Sequence, residues 1–259
     1  MTITQSPPTL LPTTTAISLR GVSKAFGHGG NAVVALDNIS LDVQPGEFVC
    51  LVGMSGCGKT TSLNLMAGLD RPTVGEVEVH GRTALMFQEA ALFPWLTVRD
   101  SVALPMRLAG VGRSERHRRA DALLEQVHLG GQGGRRPHEL SGGMRQRAAL
   151  ARALAQDAEI LLMDEPFGAL DAMTRDLLHD ELERLWASTG LTVVFVTHNV
   201  REAARLSDRI VLLTSLPGRV ADEFPVTIER PRRIDSPEVM GLAAMVTDRL
   251  RAEVRRHGD

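Results

Sequence analysis

Glycine, lysine, hydroxyl and carboxylate side chains stand in this chain at spacings suited to moving a phosphoryl group. Gly53-Met54-Ser55-Gly56-Cys57-Gly58-Lys59-Thr60 matches G-x-x-x-x-G-K-[ST], follows an apolar run and opens a helical pattern, which is the context a phosphate-binding P-loop requires. Glycines at Gly53, Gly56 and Gly58 let the backbone N–H groups around Ser55 and Cys57 turn toward phosphates, and the following helix adds its positive end. Lys59 suits the β- and γ-phosphates of ATP, the Thr60 hydroxyl suits Mg2+, and Thr61 is placed for the α-phosphate. A second apolar run, residues 160–163, ends in Asp164-Glu165. Phosphoryl transfer needs a metal held against the β- and γ-oxygens and a group that orients or deprotonates the attacking water. Adjacent carboxylates divide those tasks: Asp164 serves Mg2+ through water, and Glu165 is the general base, a role worth about 10²- to 10⁴-fold in rate. Leu140-Ser141-Gly142-Gly143 is a second phosphate-contacting turn. One nucleotide does not need both from one chain, so the economical arrangement is a site split between two copies, each lending its Ser-Gly-Gly turn to the other.

The elements that must hold these groups follow from periodicity. Period-2 alternation at residues 17–19, 39–43 and 76–80 predicts strands with one solvated face, an antiparallel sheet. Continuous apolar runs at 48–52, 160–163, 193–196 and 210–213 predict strands buried on both faces of a mainly parallel sheet. Helical spacing follows the first run at residues 60–69 and recurs through Leu170, Met173, Leu177, Leu182, Leu185 and Trp186. Between residues 89 and 155 strand signals give way to helices at 98–108, 114–127 and 144–155, an inserted helical subdomain. Gly130 to Gly134 suits a flexible hinge before the Ser-Gly-Gly turn. The expected fold class is α/β: a P-loop NTPase core with an antiparallel β subdomain and an inserted α-helical subdomain. Residues 1–16 read as a disordered tail, 17–233 as the ATPase domain, and 234–259 as a C-terminal helical extension.

A length of 259 residues with 43% hydrophobic content suits a core plus a subdomain. No stretch reaches the roughly 18 to 20 apolar residues needed to span a bilayer, and the start lacks the basic n-region of a signal peptide. The net charge of −2 gives no overall pull toward nucleic acid. The basic clusters at 113–119, 135–136 and 230–233 read as solvated faces, with contact to a partner or to anionic headgroups at a membrane surface as the alternative, since they lack the interleaved aromatics of a single-strand platform. Cys50 and Cys57 form neither a metal-spaced pair nor a disulfide framework, which fits a reducing compartment. Cys57, at a helix N-terminus beside the phosphates, suggests a favoured thiolate open to alkylation.

In order and spacing, these motifs resemble the ATPase subunits of ABC transporters from about Ile17 to Arg233. The resemblance implies that Leu140-Ser141-Gly142-Gly143 is the family signature, Gln88 the Q-loop glutamine, Ala169-Leu170-Asp171 the D-loop and His198 the switch histidine. It implies that Ser141, Gly142 and Gly143 bind the γ-phosphate presented by the opposite subunit. His198 then contacts that phosphate and positions Glu165 and the water. Asp171 communicates across the dimer, and Gln88 touches Mg2+ or the water while leading into the helical subdomain. Phe26 stands where the family stacks an aromatic on adenine, with a core position as the alternative, and Val33 or Val34 faces the other side of the base. Met144 departs from the family's common Gln, Asn199 from its frequent Asp, and residues 81–88 look shorter than in many relatives.

Leu92-Phe93-Pro94-Trp95-Leu96-Thr97-Val98, Pro166-Phe167-Gly168-Ala169-Leu170-Asp171, Pro217-Gly218-Arg219 and Arg230-Pro231-Arg232 look like the nitrate, sulfonate and taurine group of bacterial importers. That implies two ATPase copies bound peripherally at the cytoplasmic face of the inner membrane to permease subunits, served through the permease by an extracytoplasmic solute-binding protein. Phe93 and Trp95 then either pack the helical subdomain or dock the membrane partner. The alternatives are an ABC exporter subunit, or an ATP-gated dimerising module with little hydrolysis.

Overall fold

The computed structural model describes residues 15–27, 31–168 and 170–257, the last without its side chain. Among them the strands form two sheets. Strands β1 (Ile17–Phe26), β2 (Val33–Val43) and β4 (Val74–Val79) make an antiparallel sheet in the order β2-β1-β4. In β2 the expected alternation holds, with Ile39, Leu41 and Val43 buried between exposed Ser40 and Asp42. Ser18 of β1 breaks it. Its side chain is buried and its hydroxyl donates to Asp42 Oδ1 at 2.6 Å, so a polar group sits inside because a partner satisfies it.

The second sheet takes the order β5-β6-β7-β3-β8-β9. Here β3 (Phe48–Val52), β5 (Thr83–Met86), β6 (Ile160–Asp164), β7 (Thr192–Thr197) and β8 (Arg209–Leu213) run parallel, and β9 (Val220–Pro225) closes the edge antiparallel to β8. The continuous apolar runs are explained by two cores. Phe48, Cys50 and Val52 face the helices of one core, while Val49 and Leu51 face the antiparallel sheet and helix α1 (Lys59–Met66) in the other. The short strand β5, the edge strand β9 with its polar Asp222-Glu223, and the short helix α6 (Val200–Leu206) were not predicted by periodicity.

Helices α2 (Val98–Leu108), α3 (Arg113–Gln126) and α4 (Gly142–Leu154) form the inserted helical region, with α2 capped by the Thr97 hydroxyl accepting from Asp100 N. The glycine stretch expected to hinge it is instead strapped to α2, through Val98 N to Arg135 O and Arg99 N to Gly133 O. Helices α5 (Ala172–Thr189) and α7 (Pro237–His257) complete the helical layer. Within the Arg230–Arg233 cluster Arg233 is exposed, but the other two arginines do not lie on a solvated face. Arg232 is buried and donates to the carbonyls of Val226, Arg205, Ser207 and Ile228, while Arg230 pairs with Glu183 and Asp208 over the Trp186 ring. The expected N-terminal tail falls almost wholly on residues 1–14, outside the described ones. Ala16, assigned to it, is buried and donates its N–H to Val43 O. No helix among the described residues is long and apolar enough to cross a membrane.

Candidate active site

Parallel neighbours bring their C-terminal ends to one edge, where open α/β sheets bind ligands. Along the order β5-β6-β7-β3 that edge gathers Gln88, Asp164 with Glu165, His198, and the loop leading into α1. Distant segments of the sequence therefore meet because the sheet aligns them.

The loop's glycines are needed by its shape. Gly58 caps α1 in the left-handed region, φ 91°, and a Cβ there would lie 2.3 Å from Leu36 Cδ2 and 2.9 Å from Ala35 O. A Cβ on Gly53 would lie 2.6 Å from Cys57 Sγ. Gly56 is also left-handed, and Ser55 beside it is exposed. Lys59 is buried, its ammonium donating to Gly53 O and Met54 O at 2.9 Å each, so the charge sits inside the loop. On the next residue, the Thr60 hydroxyl donates to Asp164 Oδ2 at 2.8 Å, and Thr61 is half-buried in the same first turn. Burial pushes the Asp164 carboxyl up from its ordinary range, the Thr60 bond opposes this and the Glu165 charge adds to it. Desolvated and hydroxyl-paired, this carboxylate would gain from a cation. Among the described residues no three His, Cys, Asp or Glu side chains could hold a metal alone. A hydroxyl with one carboxylate fits Mg2+ that takes its remaining oxygens from water and phosphate.

Cys57 corrects an expectation. Its thiol is buried, and that burial pushes its pKa up against the opposing pull of the Lys59 charge, so the thiolate is disfavoured. Desolvation outweighs the helix end. Cys50 is raised for the same reason.

Glu165 follows β6 with φ 41°, a left-handed conformation costly for a residue with a Cβ. Its N–H donates to Val196 O at 2.9 Å, holding the bend, and its Oε2 meets His198 Nδ1 at 2.9 Å. With an ionised Glu165 the imidazole proton sits on Nδ1, and Nε2 is left for other contacts. His198 is exposed just past β7. Asn199 caps α6 by accepting from Arg201 N, which an Asp would do equally.

Gln88 has an exposed side chain, and its carbonyl accepts from Gln146 Nε2 at 2.6 Å. Arg152 donates to the carbonyls of Ala90 and Ala91, so α4 grips the segment after β5 at three points. Ser141 caps α4, its hydroxyl accepting from Met144 N at 3.2 Å. Met144 itself packs against the helical core. A Cβ on Gly143 would press to 3.0 Å from Thr174 Cγ2, whereas one on Gly142 meets only Arg145 Nη2 at 3.9 Å. Ser141 and Gly142 are exposed, and among the described residues no hydrogen bond joins 141–143 to the loop at 53–60. Asp171 caps α5, and the Thr174 N–H holds its carboxyl below the usual range. Ala169 lies outside the described residues.

Phe26 is not in the core: it is 47% exposed at the end of β1, paired with exposed Val33 and with Lys24 Nζ 5.0 Å from its ring centroid. Phe93 and Trp95 are both exposed, their rings 5.2 Å apart. The Pro217-Gly218-Arg219 loop pins β2 to the phosphate loop. Gly218 N donates to Ala35 O, Asp37 N donates to Gly218 O, Arg219 pairs with Asp37, and a Gly218 Cβ would lie 2.2 Å from Cys57 O. Gln146, Arg152, Arg175 and Glu202 hold the site without carrying a sequence signal of their own, because each acts through a tertiary contact.

The chain is similar to known proteins. The family model described as ABC transporter matches residues 36–168. The aliphatic sulfonates import ATP-binding protein SsuB 1 of Mesorhizobium japonicum is 45% identical over 241 residues, covering 91% of this chain and 88% of that protein. The taurine import ATP-binding protein TauB of the same organism is 49% identical over 205 residues, covering 76% of this chain and 80% of that one. A solved dimeric ATP-binding cassette in a post-hydrolysis state, bound to ADP and Pi, superposes with a TM-score of 0.76 at 34% identity, covering 82% of this chain and all of that one.

Proposed function

This chain belongs to the ABC transporter family, and from that premise we propose that it is the ATP-hydrolysing subunit of an importer for a small anionic solute of the sulfonate, taurine or nitrate kind. The observation that carries the hydrolytic part is the pairing of Glu165 Oε2 with His198 Nδ1 at 2.9 Å, next to the Thr60–Asp164 contact of 2.8 Å. A module that only gated on ATP would need neither the base nor its partner. Gly53, Ser55, Gly56, Cys57, Gly58, Lys59 and Thr61 would hold the triphosphate, Thr60, Asp164 and Gln88 would hold Mg2+, and Phe26 would stack on adenine. Bound there, Mg2+ would neutralise charge on the phosphate oxygens. Glu165 orients and deprotonates the attacking water while His198 fixes the carboxylate.

Ser141, Gly142 and Gly143, with Asp171 beside them, serve the nucleotide of a second copy, so the working unit is a dimer closed on ATP. Each charge-assisted bond from that turn contributes roughly 1.5 to 3 kcal/mol, and loss of the γ-phosphate favours reopening. Relatives named for sulfonate and taurine import support the anionic cargo. Permease subunits at the cytoplasmic face of the membrane, fed by an extracytoplasmic solute-binding protein, complete the assembly.

Reconstitution with the permease and binding protein in proteoliposomes tests this reading. ATP turnover should rise several-fold when a sulfonate, taurine or nitrate is offered with the binding protein. Turnover indifferent to all of them, while the complex assembles, would contradict the cargo assignment.

A further inference from the structure

One buried carboxylate, outside every motif above, joins two turns of the site. Glu202 on α6 is 4% exposed. From the end of β7, the Thr197 hydroxyl donates to its Oε2 at 2.7 Å, and the same hydroxyl accepts from Asn199 N at 3.0 Å, so the residues on both sides of His198 are tied to Glu202. From α5, Arg175 Nε lies 3.4 Å from Glu202 Oε1. Arg175 Nη2 also donates to Leu170 O at 2.7 Å, and its backbone N–H donates to Asp171 O. His179, fully buried, flanks the pair. Arg205 donates to its Nδ1, so a neutral ring carries its proton on Nε2, 3.8 Å from Glu202 Oε1.

We propose that Arg175 and Glu202 are positioning residues for hydrolysis, an ion pair through which the place of the Leu170–Asp171 turn sets the seat of His198 against Glu165. The proposal rests on reading Glu165 and His198 as the hydrolytic pair. Glu202 and the Arg175 Nε that faces it are buried although the rest of the arginine is partly exposed, so separating them leaves a desolvated carboxylate and the pair tolerates little displacement. Movement of the exposed turn at Asp171 therefore reaches the histidine through two side chains rather than through the long way round the sheet. The turn lies on the surface that the second copy is proposed to cover, so closure and the histidine's alignment become one event.

Glu202→Gln keeps an acceptor for Thr197 and removes the charge that faces Arg175. Its kcat for ATP should fall about tenfold with KM for ATP within twofold, and Arg175→Lys, which keeps the charge, should fall less than Arg175→Gln. In a His198→Ala background, Glu202→Gln should cost less than twofold further in single-turnover rate, since residues acting through one another are non-additive. Wild-type kcat in Glu202→Gln, a loss confined to KM, or an undiminished tenfold loss in the His198→Ala background would each overturn the proposal. Should Glu202→Gln not fold, the Arg175 variants carry the same comparison. Wild-type turnover in His198→Ala alone would instead remove the hydrolytic reading and this proposal with it, whereas a dead His198→Ala beside an unaffected Glu202→Gln removes only the proposal.

Discussion

At the scale of single residues, burial decides roles that residue type leaves open. Phe26 is a large apolar side chain left half-exposed beside a lysine, and nothing in the fold requires it there. Phe26→Ala should keep the melting temperature within a degree or two while ATP affinity, measured by fluorescence titration, falls roughly fivefold or more, the scale of one lost base stack. Unchanged affinity would leave the exposed ring without a nucleotide role. Cys57 shows the opposite case. The sequence places it at a helix N-terminus, where a thiolate is favoured, yet its thiol is buried against the Gly53 backbone and desolvation raises its pKa. Because less thiolate is present at a given pH, iodoacetamide should modify Cys57 more slowly at neutral pH than it modifies a free thiol. The rate should still be rising above pH 9, as intact-mass measurement would record.

At the scale of elements, the packing of α5 on α6 carries a pH signature. Burial, aided by the charges of Arg205 and Arg175, pushes His179 down to about 3. The folded chain then keeps the ring neutral while the unfolded chain binds a proton below about 6.5, so this stability is present above pH 6.5 and is lost as pH falls toward 3. Between pH 7 and pH 5 the loss should be about 2 kcal/mol. Denaturant melts at the two pH values should show it, and His179→Gln should flatten the difference; an equal slope in the variant would place the effect elsewhere. Elements with a strong period were legible in the sequence. The runs at 48–52 and 210–213 show as strands because both faces are buried, and α2 shows as a helix from its pattern alone, its Thr97 cap appearing only in the structure. The four residues of β5 and the polar edge strand β9 are too short or too mixed to carry a period. The same limit hid the Arg230–Arg233 cluster, where charge alone cannot say that carbonyls wait inside to receive it.

At the scale of the whole molecule, the P-loop, Asp164, Glu165 and His198 converge on one sheet edge within a single chain, while the signature turn remains outward. The two glycines of that turn differ. Gly143 is crowded by its own chain, a Cβ there meeting Thr174 Cγ2 at 3.0 Å, but Gly142 has open space where a Cβ would go. As the first residue of a helix, Gly142 would gain stability from alanine, by up to about 1 kcal/mol. Gly142→Ala should therefore fold at least as well as the wild type and yet lose most of its ATP turnover and ATP-dependent dimerisation. Retained dimerisation would remove the turn from the composite site. The most direct measurement is the solution mass of Glu165→Gln by light scattering with Mg2+ and ATP. An ATP-bound species at twice the 28.1 kDa of one chain is expected, absent with ADP and absent when Gly142→Ala is added. A variant that binds ATP yet stays at 28.1 kDa would contradict the shared site.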